Sequence, residues 1–150
     1  MTQTRTVEQQ TAPAKYEEWR IVSEAPEYSV SNYGRVRRDG PDGQGRNKGH
    51  VLKPAINLWG YERVNLYVNS RRISRSVHRI VCTAFHGPSP SCAHQVAHNN
   101  GVSLDNAACN LRWATPKENI KDRKRHGTHF VSYGELSSNS VLTKSDVLNI

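Results

Sequence analysis

The stretch Thr115-Pro116-Lys117-Glu118 constrains this chain more than any other four residues in it. A threonine that can cap, a proline that loses nothing by lacking an N–H at the first helical position, and a glutamate three residues after the cap make a reciprocal capping box, so a helix has to start here. The pattern predicts that it runs to about Arg125 and stops at Gly127. Before it, Gln95-Val96-Ala97-His98 reads as a short strand, Asn99 to Ala107 as a polar stretch with little apolar content, and Leu111, Trp113 and Ala114 as the return strand. The order strand, loop, strand, helix from Gln95 to Arg125 therefore follows from pattern alone. It puts His98 at the end of the first strand, Asn110 at the opening of the second and Asn119 in the first full turn of the helix, where the three can converge.

The rest of the chain reads as β structure with one further helix. Residues 1–15 are polar and aperiodic, a mobile leader by composition. From Tyr16, the residues Trp19, Ile21, Tyr28, Val30 and Val36 suggest short strands with a tight turn at Ser31-Asn32-Tyr33-Gly34. Asp39 to Gly49 is a loop, with four glycines and a proline. Val51 to Ile56, Tyr61 to Val68 and Ile73 to Val77 read as an antiparallel meander with turns at Trp59-Gly60 and at Asn69 to Arg72. The period then changes: Val77, Ile80, Val81, Ala84 and Phe85 form the stripe of a short amphipathic helix that Gly87 and Pro88 end. At the C-terminus, Val141 to Ile150 has a Thr cap before apolar residues, as at the first turns of a helix.

A chain of 150 residues with 35% hydrophobic content supports one modest core or two small modules, and excludes a large multi-domain enzyme. It has no apolar run of membrane-spanning length, and the N-terminal stretch is unlike a secretory signal, so a soluble, intracellular protein without membrane partners is expected. Cys82, Cys92 and Cys109 form no CxxC pair, and with His86 and His94 their spacings are too irregular for structural zinc. The net charge of +8 is unevenly spread: residues 35–80 carry eleven basic and three acidic side chains, 81–116 are neutral, and Lys117 to Arg125 add five basic against two acidic. Two basic runs flanking a neutral middle rich in His and Asn point to a polyanion, and nucleic acid is the natural one. The arginines Arg35, Arg37 and Arg38 after one turn and Arg71, Arg72 and Arg75 around another suit phosphate contact, with guanine readout open to some of them. Lys117, Lys121, Arg123, Lys124 and Arg125 would clamp the backbone beside the helix.

The three converging residues suit phosphodiester hydrolysis, which needs a base for water, a cation for the developing charge and groups that hold both. A histidine can take a proton near neutral pH, and a carboxamide oxygen is a hard donor suited to Mg²⁺ or Mn²⁺. His78 and Trp113 read instead as packing residues.

The segment from Val77 to Thr128, with VHR, AF.GP, V.H..G, DN, NLRW, TP.EN and a basic helix end, resembles the HNH (His-Me finger, ββα-metal) homing endonucleases of phage and mobile-intron type. Upstream, EEWRIVSEAPEYSVSNYGRVRR is similar to the modular DNA-binding motif that often precedes such domains, and VLKP with GYERVNLY fits the linking strands; together the resemblance covers roughly residues 16–135. It implies an α+β fold, in which a small N-terminal β unit and antiparallel strands are followed by a ββα-metal nuclease domain. The implied division is a leader over 1–15, a DNA-binding β module and loop over 16–49, the nuclease domain with its preceding meander over 50–130, and over 131–150 a linker and the start of a C-terminal helix. That helix is either a truncated helix-turn-helix or a short helix packed on the core. The resemblance implies a metal-dependent endonuclease with His98 as general base, Asn110 bracing the loop and the histidine, and Asn119 as a ligand of one divalent ion, Mg²⁺ or Mn²⁺. It adds Ser31 and Asn32 of the VSN turn to the DNA contacts. Double-stranded DNA would be the partner of a monomer or weak oligomer, in the cytoplasm of a bacterial host carrying the phage or mobile element. One position departs from the family pattern: Ala97 stands where a second metal ligand is common. Another oxygen could substitute, from Asp105, Asn100 or a backbone carbonyl; Asn119, water and DNA phosphate could suffice; or the chain, natural or altered, is a catalytically silent DNA-binding protein. An RNA-binding module is disfavoured, because no aromatic RNP-like pattern is present.

Overall fold

The computed structural model describes residues 16–40 and 49–127. The leader, most of the glycine-rich loop and the C-terminal helix expected from the sequence lie outside the described residues.

Among the described residues, nine strands and two α-helices are arranged as three small antiparallel sheets around one helix. Strands β1 (Trp19–Val22), β2 (Ala25–Ser31), β3 (Val36–Arg38) and β4 (His50–Val51) make the first sheet in sequential order. β5 (Ala55–Ile56), β6 (Glu62–Val68) and β7 (Arg71–Ser76) make the second. The third is the hairpin of β8 (Gln95–His98) and β9 (Leu111–Ala114).

The stretch expected as one strand over Val51–Ile56 is two. His50–Val51 pairs with β3, whereas Ala55–Ile56 pairs with β6. Pro54 between them has no N–H to give a ladder, so the chain leaves one sheet there and enters the next. The β6–β7 turn is also tighter than expected: Asn69 and Ser70 alone form it, both at positive φ (50° and 62°), while Arg71 and Arg72 are already in β7. That is the two-residue hairpin geometry whose twist matches the flanking strands.

Helix α1 (Val77–His86) is the hub, in contact with β1, β2, β6, β7, β8 and β9. Its stripe of Val77, Ile80 and Val81, together with Cys82, is buried, with Ala84 and Phe85 partly so, which is the face the period of the sequence marks. A single apolar cluster joins Val22, Tyr28, Val30 and Val36 of the first sheet to Val64 and Leu66 of the second and to Leu111 of β9. The buried Tyr28 ring reaches across it, its hydroxyl oxygen accepting from Tyr67 N at 3.1 Å. Trp113 is the packing residue the sequence suggests: partly buried against the core, it donates through Nε1 to Gly87 O at 2.9 Å.

Helix α2 (Pro116–Arg125) starts on the capping box as expected. Thr115 Oγ1 accepts from Glu118 N, and Glu118 reaches back to Thr115 N at 2.8 Å. It packs chiefly on β8 and β9, and so lies across the hairpin.

Candidate active site

The hairpin and the helix across it enclose an open cleft of about 270 Å³, lined by residues that include His98, Asn119, Trp59, Tyr61, Arg123 and His126. Asn119, Asp122, Arg123 and His126, spaced i, i+3, i+4 and i+7, all turn into it. His98 and Asn119 therefore share one cavity although twenty-one positions apart in sequence, as the strand–loop–strand–helix order requires.

His98 is half-buried at the end of β8, its ring stacked 6.0 Å from Tyr61 and edge-on to His78 at 5.5 Å. Its Nε2 lies 3.2 Å from Asn106 Oδ1. Burial pulls the imidazole below its ordinary value, opposed by the Asn106 hydrogen bond and the Asp105 carboxylate. The base candidate is thus neutral at physiological pH, the state in which it can accept a proton. His78 is the packing histidine expected: burial, His98 and Arg79 drive it down to about 4, and its Nδ1 is buried without a hydrogen-bond partner.

The Asn110 side chain makes no hydrogen bond to His98. It closes a 3-10 turn (Ala108–Asn110) just ahead of β9 and holds the 99–107 loop from inside: Nδ2 donates to Asn100 Oδ1 at 3.0 Å and to Asp105 O at 2.8 Å, and Oδ1 accepts from Asn100 N at 3.0 Å. The loop half of its expected role is what its bonds perform. The contact to the histidine is made by Asn106, which the sequence reading passed over among several loop asparagines. Only the Asp105-Asn106 pair of the motif could have singled it out. Gly101, at φ 75°, seals the loop tip against α2, because a Cβ there would meet His126 Cγ at 2.8 Å.

Asn119 Nδ2 donates to Gln95 Oε1 at 2.8 Å, which leaves its carboxamide oxygen as a neutral donor at the cleft. Ala97 is 2% exposed and offers no donor. Of the substitute side-chain oxygens, Asp105 accepts from Asn100 Nδ2 at 2.7 Å and from Ala107 N, and Asn100 Oδ1 accepts from Asn110 and Val102 N. Asp122 is ion-paired to Arg112 and Arg125. Among the described residues no three His, Cys, Asp or Glu side chains gather as a metal-holding group. The side chains here do not, by themselves, fit a tightly held divalent cation.

The turn residues expected at DNA are inside the protein. Ser31 is 0% and Asn32 7% exposed. Ser31 Oγ accepts from Tyr33 N and Arg35 N, while Asn32 accepts from Glu18 N and donates to Tyr16 O. Their polar atoms hold the turn, which packs onto the core. Of the arginines, Arg35 pairs with Glu17, Arg37 with Asp39 while lying over the Trp19 ring at 4.2 Å, Arg38 with Glu27, Arg75 with Glu24 and Arg125 with Asp122. Arg71, Arg72, Lys117, Lys121 and Lys124 are exposed, and Arg123 lines the cleft.

Residues 75–121 match the family model described as HNH endonuclease, and residues 17–67 match the NUMOD4 motif. Over residues 75–121 the chain carries a segment homologous to the HNH endonucleases. Its curated relatives include DNA endonuclease I-HmuI of Bacillus phage SP01, 32% identical over 117 residues, a match that covers 77% of this chain and 62% of that protein. An uncharacterized HNH endonuclease of Acanthamoeba polyphaga mimivirus is 33% identical over 98 residues, covering 63% of this chain and 22% of its own length. A solved structure of DNA binding and cleavage by the HNH homing endonuclease I-HmuI superposes with a TM-score of 0.63 at 31% identity, over 76% of this chain and 62% of that one. The α+β fold expected from the sequence is this HNH fold. The chain spans less than two thirds of the length of these relatives. HNH endonucleases generally use a divalent metal ion, and it is against that habit that the donor-poor cleft around Ala97 stands out.

Proposed function

We propose that this protein is a DNA endonuclease that hydrolyses phosphodiester bonds of double-stranded DNA with His98 as general base. What carries the reading is the placement of a half-buried, neutral His98 in the cleft between the HNH hairpin and α2, beside Asn119. His98 takes a proton from water, the hydroxide attacks phosphorus, and the P–O bond to the leaving sugar oxygen breaks, with a proton from solvent completing the alcohol. Asn110 keeps the loop in shape, and the cationic rows place the backbone: Lys117, Lys121 and Lys124 on the outer side of α2, Arg71 and Arg72 on the β6–β7 hairpin. Arg35, Arg37, Arg38, Arg75 and Arg125 can join by exchanging carboxylate partners for phosphate.

Mg²⁺ or Mn²⁺ is the ion class expected. With Asn119 as the one protein donor, its remaining oxygens would come from water and from the DNA. Ala97 favours a second reading, a silent DNA-binding protein that keeps the HNH frame. Supercoiled plasmid incubated with the full chain, with and without Mg²⁺ or Mn²⁺, separates the two: nicking or linearisation supports the nuclease, and retention of DNA without any cut supports the silent binder. His98→Ala should abolish cleavage with DNA binding largely intact, and unchanged nicking would remove His98 from the reaction. The division of the chain at residues 16–49 and 50–130, action as a monomer or weak oligomer, and residence in the cytoplasm of a bacterial host belong to the same reading. It is supported by the phage origin of one relative, and no helix among the described residues is long and apolar enough to cross a membrane.

A further inference from the structure

Glu62 lies on β6, in the stretch matched by the NUMOD4 motif, yet its side chain reaches the HNH loop. Asn106 Nδ2 donates to Glu62 Oε2 at 2.9 Å, and at its other end Asn106 Oδ1 lies 3.2 Å from His98 Nε2. Asn106 is 3% exposed, so its amide is fixed by these partners and not by bulk water. The chemistry of the three groups then orders itself. A carboxylate has only acceptors, so Asn106 must turn its NH₂ toward Glu62 and its carbonyl oxygen toward His98. An acceptor facing Nε2 requires the proton to sit on Nε2, which leaves the lone pair on Nδ1.

We infer that Glu62, acting through Asn106, is a positioning residue that sets His98 as its Nε2–H tautomer, so that Nδ1 is the basic atom. The segment before the HNH match supports Asn106 from a second side as well. Gly34, at φ 85°, lies so close that a Cβ would meet Asn106 Cβ at 2.8 Å, and Asn32 O accepts from Ala108 N at 2.8 Å. The upstream module therefore completes the mount of the histidine in addition to any contact it makes with DNA. The inference rests on the reading of His98 as general base and deepens it.

The test reads the tautomer directly. Long-range ¹H–¹⁵N spectra of the imidazoles in the ¹⁵N-labelled full chain, without DNA or metal, distinguish the two forms. His98 is expected as Nε2–H in the wild type and in Glu62→Gln, whose carboxamide oxygen can still accept from Asn106, and as a mixture in Glu62→Leu. Nicking of supercoiled plasmid with Mn²⁺ should fall by about tenfold or more in Glu62→Leu and far less in Glu62→Gln, because a base in the wrong tautomer cannot accept the proton. A wild-type Nδ1–H form, or a Glu62→Leu protein with the wild-type His98 spectrum and nicking rate, overturns the inference. If Glu62→Leu fails to fold, Asn106→Ala carries the same two readouts. A wild type that shows Nε2–H and cuts no DNA supports the tautomer assignment and defeats the nuclease reading, which keeps the two failures apart.

Discussion

Ala97 pairs with Arg112 across the hairpin, so a side chain added at 97 would share a face with a guanidinium that already holds Asn99 and Asp122. That charge makes the site tolerant of a carboxylate that burial alone would resist. Ala97→Asp is therefore expected to fold and to nick supercoiled plasmid at limiting Mn²⁺ at an equal or higher rate than wild type. A folded variant that has lost nicking would show that position 97 is not aligned with the ligand position of the family. At the same scale, Asn110 and Asn106 show how two like side chains divide one task. The first saturates backbone and amide groups within the loop, and the second faces the imidazole. Which does which is a matter of a few ångströms that residue type does not encode.

Helix α2 depends on its N-terminus, because it packs chiefly on the hairpin and its sequence is almost wholly polar. Thr115→Ala removes the acceptor for Glu118 N and should cost about 1 kcal/mol, read as a lower denaturation midpoint in urea. Since Asn119 and Arg123 line the cleft from this helix, looser first turns should also slow cleavage. The β6–β7 hairpin has the opposite kind of defect. Ser70 sits at φ 62°, where a Cβ is disfavoured and glycine is not. Ser70→Gly should stabilise the protein by about 0.5–1 kcal/mol, and an unchanged midpoint would mean that the turn relaxes to another geometry.

At the scale of the whole molecule, the two half-buried histidines make stability depend on pH. His78 falls to about 4 and His98 moves in the same direction, both chiefly through burial. Their folded values lie below the unfolded one, so the unfolded chain binds more protons between the two, and stability is lost as pH falls from about 6.5 toward 4. For His78 the loss amounts to about 3 kcal/mol across that window. His78→Leu should flatten much of the acid limb in denaturation midpoints measured from pH 7 down to 4, since its Nδ1 gives up no hydrogen bond. The exposed cations act together too. Affinity for duplex DNA should drop about 10³-fold between 50 and 200 mM salt, and removing Arg71 and Arg72 should lower the slope by about 2 if both meet phosphate. Salt-insensitive binding would count against the polyanion reading. How much of this the residues foretold depends on the range of the interaction. Helices α1 and α2 and the β8–β9 hairpin were legible because capping, period and turn chemistry act within a few positions. The motif letters likewise singled out His98, Asn110 and Asn119 as candidates, which lie in one continuous stretch. The split of Val51–Ile56 between two sheets, the burial of Ser31 and Asn32, the pairing of Arg35, Arg38 and Arg75 with carboxylates distant in the chain and the reach of Glu62 to Asn106 were settled only by tertiary packing. Each joins groups from different elements, and such partners are chosen by the geometry of the shared core, which no local pattern records.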